Sequence, residues 1–152
     1  MTFCPFCLVP SQGVCTQCGF KEEHAPTVSP QELRQMIASK QAFTLVDVRE
    51  PDEHETASIK GAKLIPLGQL QERYIEIPQD KPVITYCHHG IRANHAASFL
   101  LQKGFTAQNL EGGIDRYSLE ADASVPRYER HQLAGRAVIC KHEEREDGIT
   151  VI

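Results

Sequence analysis

Short apolar runs alternate with amphipathic segments through the middle of the chain. Residues 43–48 and 83–86 are too uniformly apolar for a strand with one solvated face, and are typical of strands buried in a parallel sheet. Shorter strand-like runs at residues 63–65 and 107–109 bring the predicted strands to four, with helix-like segments between them. The pattern therefore predicts an α/β fold built from parallel βα units.

One of these strands leads through a short loop into an amphipathic helix, within residues 83–104. The strand ends at Cys87 and the loop closes at Arg92. Because the N–H groups of such a loop and of the first helical turn have no intrahelical partners, they favour negative charge at Cys87. Thiolate is the nucleophilic form of cysteine, and Arg92 adds a fixed positive charge. We therefore predict a nucleophile here and not a buried structural cysteine.

Four of the six cysteines crowd into residues 1–25 as two Cys-x-x-Cys pairs. Each pair presents two sulfurs to one metal ion, so the four thiols Cys4, Cys7, Cys15 and Cys18 predict a closed tetrahedral site with a structural role. Zinc is the expected metal and iron the alternative. Two local disulfides or a disordered tail are the other interpretations. The seven residues between the pairs favour a minimal zinc ribbon over a finger.

A linker at residues 25–30 leads from this ribbon into a main domain, which we place at residues 26–130. Ser29 is a plausible N-cap, with Pro30 at the first position of the helix that follows. Residues 131–152 form a C-terminal extension, where strand-like residues 137–140 and 149–152 flank a charged segment with Gly148 near its turn. We predict a β-hairpin that packs on the ribbon, the alternative being a mobile acidic tail.

Charge and hydropathy exclude several classes of function. The net charge of -4 shows no excess of positive charge of the kind that nucleic-acid-binding proteins carry. No window of the sequence is long and apolar enough to cross a bilayer. The N-terminal residues lack the basic and apolar regions of a secretory signal. Cysteines gathered at one end suit a reducing compartment, so a cytoplasmic location is the default expectation.

Five spaced motifs stand in an order typical of one known family: VDVREP at 46–51, IKGA at 59–62, IPL at 65–67, YCHHGIR at 86–92 and LEGGI at 110–114. They resemble the opening signature, the active-site loop and the closing Gly-Gly motif of the rhodanese family of sulfurtransferases. The resemblance extends over roughly residues 28 to 128. It implies a central parallel sheet with helices on both faces, and the site at the carboxyl ends of the strands.

The chemistry implied by this resemblance is a two-step transfer of sulfur. Cys87 would take the outer sulfur of a donor such as thiosulfate or a persulfide, and would hold it as a cysteine persulfide. The acceptor would be cyanide, a small thiol or a protein thiol. Arg92 would bind the anionic donor or stabilise the leaving sulfite, and the loop N–H groups would shelter the persulfide anion.

The same resemblance assigns four further loop residues to the substrate: His88, His89, Gly90 and Ile91. The two histidines either add positive potential and polar contacts or are exposed without a role. Asp47 and Arg49 form an ion pair that braces the loop, or Arg49 acts on the site electrostatically. Cys140 is either a packed residue or a second thiol that resolves the persulfide.

The chain departs from the family pattern at a few positions, among them Ala93 in place of a frequent serine and Tyr117 in place of a frequent tryptophan. Residues 57–58 are Ala-Ser where Gly-His is usual.

Related phosphatases and arsenate reductases carry a wider Cys-x5-Arg loop, whereas Cys87 and Arg92 are separated by four residues, so these activities are disfavoured. A non-catalytic adaptor that docks through the ribbon is the main alternative. Residues 123–128 resemble the ending of modules fused to sulfur-carrier activating enzymes, which hints at a sulfur-relay partner.

Overall fold

The computed structural model describes residues 2–21, 23–133, 136–141, 143–144 and 150–151. The strands are β1 Thr2–Phe3, β2 Pro10–Ser11, β3 Thr27–Val28, β4 Thr44–Asp47, β5 Lys63–Leu64, β6 Val83–Tyr86, β7 Ala107–Leu110, β8 Tyr128–Leu133, β9 Arg136–Lys141, β10 Glu143–Glu144 and β11 Thr150–Val151. The α-helices are α1 Pro30–Ala38, α2 Pro51–Thr56, α3 Leu70–Arg73, α4 Ile91–Gln102 and α5 Gly113–Glu120, with 3-10 turns at Leu67–Gln69 and Tyr74–Glu76.

A five-stranded parallel sheet in the order β3-β7-β6-β4-β5 forms the centre of the fold. This confirms the predicted α/β class, and each of the four predicted strands is present within a residue or two of its expected bounds. The edge strand β3 lies in the segment that we predicted to be a linker. Two residues are too few to produce a period in the sequence, and the strand exists because it pairs with β7.

Helices cover both faces of the sheet, and neighbouring residues of one strand serve different cores. Leu45 packs in the cluster that holds Leu33 of α1 and Ile114 of α5, whereas Val46 packs with Leu100 of α4. This division follows from the strand period of two, which sends successive side chains to opposite faces. The uniformly apolar strands are therefore explained by burial on both sides, as the sequence predicted.

The N-terminal ribbon packs on the α4 face and shares its core. The Phe6 ring lies 4.9 Å from Phe20 and 5.0 Å from Phe99 of α4, measured between ring centroids. Cys4 and Cys15 belong to the same buried cluster. A segment this small cannot bury a core by itself, and the face of α4 supplies the surface that it lacks.

The described part of the C-terminal extension forms two strand pairs. Strand β9 pairs along six residues with β8, and β10 pairs with β11. Residues 145–149 and 152 of the predicted hairpin lie outside the described residues. Residues 128–133 are mostly polar, so their sequence did not suggest a strand. The side chain of Cys140, and Gly148, lie outside the described residues.

Packing of the predicted hairpin on the ribbon stays a prediction, because much of the hairpin lies outside the described residues. Ile139 packs with the cluster on the α1 and α5 face, whereas the ribbon belongs to the cluster on the α4 face. Strand β9 contacts α2. In the part of the chain that the structure describes, no helix combines the length and apolarity needed to cross a bilayer.

Candidate active site and metal centre

Cys87 follows directly on β6, between the ends of its neighbours β4 and β7. Its side chain is 1% exposed. The Sγ atom accepts hydrogen bonds from the Gly90 N–H at 3.0 Å and the Ala93 N–H at 3.3 Å. Gly90 has a φ of 111°, a conformation open to glycine that turns the loop into α4. Two N–H donors at the start of a helix stabilise negative charge on this sulfur.

The closing Gly-Gly motif holds the other side of the same loop. The Ile114 N–H donates to the Cys87 carbonyl oxygen at 2.8 Å, and the Asp115 N–H donates to the His88 carbonyl oxygen at 3.2 Å. A Cβ atom on Gly113 would lie 2.3 Å from the His88 oxygen and 2.5 Å from the Cys87 oxygen. The motif is therefore required for the loop and α5 to approach this closely.

Asp47 and Arg49, the predicted bracing pair, form a two-point ion pair that is fully buried. The Arg49 Nε atom lies 2.8 Å from Asp47 Oδ1, and Nη2 lies 2.6 Å from Oδ2. The Ala57 carbonyl oxygen accepts a further hydrogen bond from Nη2 at 2.6 Å. Burial by itself lowers the pKa of Arg49, but the hydrogen bonds and charge of Asp47 outweigh it and the pKa is raised. The pair is thus a charged, buried support and not a weak surface contact.

Arg92 is held by a partner that the sequence analysis did not name. Its Nη1 and Nη2 atoms donate to Glu53 Oε2 at 2.8 Å and Oε1 at 2.9 Å. Burial raises the pKa of Glu53, yet the hydrogen bonds from Arg92 and the Glu50 N–H outweigh it and lower the pKa to about 2. Much of the positive charge of Arg92 is therefore compensated by Glu53. One feature of the sequence could have pointed to Glu53. It lies in the first turn of α2, where it forms a capping box with Glu50.

Tyr128, at the start of β8, connects the two ion pairs. Its hydroxyl accepts a hydrogen bond from Arg49 Nη1 at 2.9 Å and donates to Glu53 Oε1 at 3.0 Å. The side chain is 1% exposed. Arg130, two residues further along β8, lies 3.4 Å from Glu53 Oε2. Because Tyr128 is 75 residues from Glu53 in the chain, no local pattern could have revealed the contact.

His88 and His89 follow Cys87 but occupy different environments. The His88 ring stacks on Tyr128 with centroids 4.1 Å apart, and its other neighbour is the His89 ring at 3.9 Å. His88 is buried whereas His89 is exposed. Burial and the nearby His89 lower the pKa of His88 to about 4. At neutral pH the His88 imidazole is therefore uncharged and adds no positive potential to the loop.

The four N-terminal thiols lie together as one cluster, formed by Cys4, Cys7, Cys15 and Cys18, with their Sγ atoms within 4.8 Å of one another. The sulfurs of Cys4 and Cys18 are 3.7 Å apart, and tetrahedral thiolate coordination at about 2.3 Å places sulfurs about 3.8 Å apart. The Cys7 N–H points at Cys4 Sγ from 3.5 Å, as expected for a knuckle that supports its thiolates. The spacing and chemistry of this donor set fit a single bound metal ion.

Substituting Gly113 by alanine should disrupt the loop. Gly113→Ala forces a Cβ atom into two backbone oxygens and should lower the free energy of unfolding by more than 3 kcal/mol, by analogy with severe overpacking and strain. Gly104→Ala is the matched control, because Gly104 also has a positive φ, of 92°, but nothing lies within 4 Å of the added atom. Chemical denaturation of both variants measures the difference. Equal losses of stability would contradict a steric role for Gly113.

The stability of the protein should fall as pH is lowered from about 6.5 to about 4. The ordinary pKa of histidine is 6.5 and that of His88 in the fold is about 4, so the unfolded chain binds more protons in this window. His88 should thus account for a loss of up to about 3 kcal/mol. Glu53 should contribute at lower pH, between its ordinary pKa of 4.5 and its pKa of about 2 in the fold.

The variant His88→Phe keeps an aromatic ring against Tyr128 but cannot titrate. Denaturant unfolding at several pH values should show a flatter profile between pH 6.5 and 4 than in the unmodified protein. A profile with the same slope would show that His88 is not the buried titrating group.

Comparison with known proteins agrees with this architecture. The family model described as "Rhodanese-like domain" matches residues 29–120. An uncharacterized protein, YqhL of Bacillus subtilis, is 39% identical over 99 residues, which cover 64% of this chain and 76% of YqhL. A thiosulfate sulfurtransferase, GlpE of Coxiella burnetii, is 32% identical over 53% of this chain and 77% of its own length. The probable adenylyltransferase/sulfurtransferase MoeZ of Mycobacterium tuberculosis is 33% identical, and the match covers 67% of this chain but 27% of MoeZ.

Solved structures share the same fold. A rhodanese-related protein of Thermoplasma volcanium superposes with a TM-score of 0.59 at 33% identity, covering 63% of this chain and 93% of that one. The reduced CoADR-RHD protein of Bacillus anthracis gives a TM-score of 0.62 at 34% identity, over 66% of this chain and 18% of its own. With the family model spanning more than half of its residues, the chain belongs to the rhodanese-like domain family.

Proposed function

We propose that this protein is a sulfurtransferase that carries sulfane sulfur as a persulfide on Cys87. The observation that carries the proposal is the buried Sγ atom at the end of a central parallel strand, facing two N–H donors of its own loop. A sulfurtransferase of Allochromatium vinosum, 35% identical over 57% of this chain, supports the assignment, as does GlpE. Thiosulfate is the donor that we propose.

In the loading step, the Cys87 thiolate attacks the outer sulfur of thiosulfate. A bond forms between the two sulfurs, the sulfur–sulfur bond of thiosulfate breaks, and sulfite leaves with the electron pair. The product is a persulfide anion on Cys87. The Gly90 and Ala93 N–H groups are already directed at the sulfur before the reaction, so they stabilise this charge with little reorganisation.

In the transfer step, an acceptor attacks the outer sulfur of the persulfide. Cyanide would take the outer sulfur and leave as thiocyanate. A thiol would first give its proton to the outer sulfur of the persulfide, then attack that sulfur as a thiolate and leave as a new persulfide that carries the proton. In both cases the Cys87 thiolate is regenerated and no external oxidant or reductant is needed. A protein thiol is a further acceptor, since a putative sulfur carrier protein of Bacillus subtilis, YrkF, is 34% identical over 53% of this chain.

Arg92 acts chiefly as an oriented donor in this proposal. Glu53 takes two of its five N–H donors, and the remaining ones are available for thiosulfate or for the leaving sulfite. Glu53 and Tyr128 are positioning residues, because they fix the guanidinium without being next to the reacting atoms. His89 and Ile91 are exposed at the rim of the loop, where an incoming substrate would first meet the protein.

The thiol cluster at Cys4, Cys7, Cys15 and Cys18 would hold a structural zinc ion. Zinc accepts four thiolates in tetrahedral geometry without redox chemistry. Four protein ligands leave no open coordination position, so the ion would supply stability to the ribbon and no catalytic step. Iron in the same donor set is the alternative.

Incubation with thiosulfate should add a single sulfur atom to Cys87, and cyanide or a thiol should remove it. Intact-protein and peptide mass spectrometry measure both events. Cys87→Ser should abolish the adduct while leaving bound zinc unchanged, because Cys87 is not part of the ribbon. The absence of an adduct on the unmodified protein would favour a non-catalytic binding module, and an adduct that persists in Cys87→Ser would place the sulfur elsewhere.

Tyr128→Phe should slow sulfur loading by about tenfold. The variant keeps the ring stacked on His88 but removes one hydrogen bond to Glu53 and one from Arg49, so the guanidinium of Arg92 is held less precisely. The matched control is Tyr74→Phe, since Tyr74 packs against Phe99 on the other face of the sheet. Stopped-flow or quenched loading is measured well below the unfolding temperature of each variant. An unchanged loading rate in Tyr128→Phe would limit Tyr128 to a stabilising role.

A further inference from the structure

Strand β8 brings a second arginine to the carboxylate that holds Arg92. Arg130 Nη1 lies 3.4 Å from Glu53 Oε2, and Arg92 Nη1 lies 2.8 Å from the same oxygen. Because both nitrogens are measured from one atom, they are no more than about 6 Å apart. Arg130 follows the last of the five sequence motifs, which ends at residue 114. The motifs therefore gave no indication that it reaches this region.

The pairing of β8 with β9 fixes the direction of the Arg130 side chain. Tyr128 and Arg130 are two residues apart on one strand, so their side chains leave it on the same face. On that face the Tyr128 ring stacks on His88, the residue after Cys87. Ile139 of β9 stands directly opposite Arg130 and packs in the core cluster on the α1 and α5 face. Arg130 is thus directed towards the domain, beside the Cys87 loop.

The charges at this point do not cancel. Glu53 is a fully buried carboxylate that is ionised at neutral pH, and two guanidinium groups lie against it. The Tyr128 hydroxyl that also contacts it is neutral, since burial raises the pKa of Tyr128. Arg92, Arg130 and Glu53 together therefore carry one net positive charge.

The two neighbouring ion pairs leave this excess in place. Asp47 is paired with Arg49 at 2.6 Å, and Asp115, whose N–H supports the loop, is paired with Arg127 at 3.0 Å. Each of these carboxylates thus has an arginine of its own. Among these groups, two arginines share one carboxylate only at Glu53, and the excess charge comes with Arg130.

Both arginines at Glu53 are partly open to solvent. The side chain of Arg92 is 30% exposed and that of Arg130 is 36% exposed. The hydrogen bonds to Glu53 chiefly raise the pKa of Arg92, and the charge of the nearby Cys87 adds to the rise. Two guanidinium groups this close together can donate to one small anion from two sides. An anion that Arg92 holds near the sulfur is therefore also within the field of Arg130.

We propose that Arg130, which the C-terminal strand pair contributes, determines specificity for the sulfur donor by selecting a doubly over a singly charged anion. The proposal rests on the function proposed above for Cys87. Arg92 directs N–H groups at the donor from the loop, while Arg130 adds attraction for the second negative charge from β8. When thiosulfate loads Cys87, both of its charges leave with sulfite, so the same two groups stabilise the product. Arg130 forms and breaks no bond in this step.

Binding can be measured without turnover. The full chain carrying Cys87→Ser is titrated with thiosulfate by calorimetry. We expect saturable binding that is weakened at least about fivefold by adding Arg130→Gln and largely restored by Arg130→Lys, which keeps the charge. Arg73→Gln on α3 is the matched control, because it removes the same charge from a side chain of similar exposure, 35%, that is paired with Glu76.

Absence of binding, no weakening by Arg130→Gln, or equal weakening by Arg73→Gln would overturn the proposal. This measurement decides the role of Arg130 even if the unmodified protein takes up no sulfur on Cys87. That failure would refute the proposed function instead.

Loading kinetics separate recognition of charge from a loss of structure. Thiosulfate is compared with methanethiosulfonate, in which a methyl group replaces one oxygen and which carries a single negative charge. Both donors leave the same persulfide on Cys87, with sulfite departing from the first and methanesulfinate from the second. Quenched reactions analysed by mass spectrometry give the half-saturating concentration and the maximal rate for each donor.

Arg130→Gln should raise the half-saturating concentration of thiosulfate at least about fivefold and that of methanethiosulfonate less than about twofold, with little change in either maximal rate. Equal changes for the two donors, or a fall in the maximal rates alone, would limit Arg130 to a structural role and overturn the assignment.

Discussion

A buried carboxylate at Glu53 organises the region around the Cys87 loop. An ionised carboxylate without partners is very costly to bury, so the fold must bring cations and donors to this point. Arg92 arrives from the loop and Tyr128 from the start of β8, while the Glu50 N–H comes from the start of α2. The position of each element therefore depends on that of the others. Withdrawing one of them leaves a charge that the interior cannot solvate.

The second ion pair extends this dependence into the sheet. Asp47 ends β4, and Arg49 reaches from it to the Tyr128 hydroxyl. The Cys87 loop is thus supported from the neighbouring strand end, from α2 and from β8 at once. On the opposite face, α4 carries the ribbon and its linker. Strand β8, through Tyr128, and the segment at Ala25, through Asn94, therefore approach the Cys87 loop from different sides.

The sequence predicted those parts that depend on local pattern. Burial on both faces produces uniformly apolar strands, and metal coordination produces paired cysteines, so the sheet and the thiol cluster were visible as patterns. The strand-loop-helix setting of Cys87 was visible for the same reason. Glu53 and Tyr128 were missed because their importance comes from a contact across 75 residues. Strand β8 was missed because hydrogen bonding to β9 orders a segment whose composition is polar.

Docking of the ribbon on α4 could not be predicted either. It depends on Phe6 of the ribbon meeting Phe99 of α4, which is far away in the sequence. We expected the hairpin to cover the ribbon because a small metal-binding segment needs a partner surface. The face of α4 supplies such a surface, and packing of the hairpin on the ribbon stays a prediction. The sequence shows that the ribbon must bury its apolar residues against another part of the chain. Which part that is depends on the whole fold.

The bonds from α5 to the carbonyl oxygens of Cys87 and His88 have a further consequence. A peptide unit that has its oxygen tied to a neighbouring helix cannot rotate to exchange its oxygen for its N–H. The His88 and His89 N–H groups, which belong to these two peptides, are therefore fixed in direction. The next peptide carries the Gly90 N–H that donates to the Cys87 sulfur, and it starts from this fixed backbone. A loop whose first peptides could flip would not hold that donor in place, so the bonds from α5 favour an anion at the sulfur.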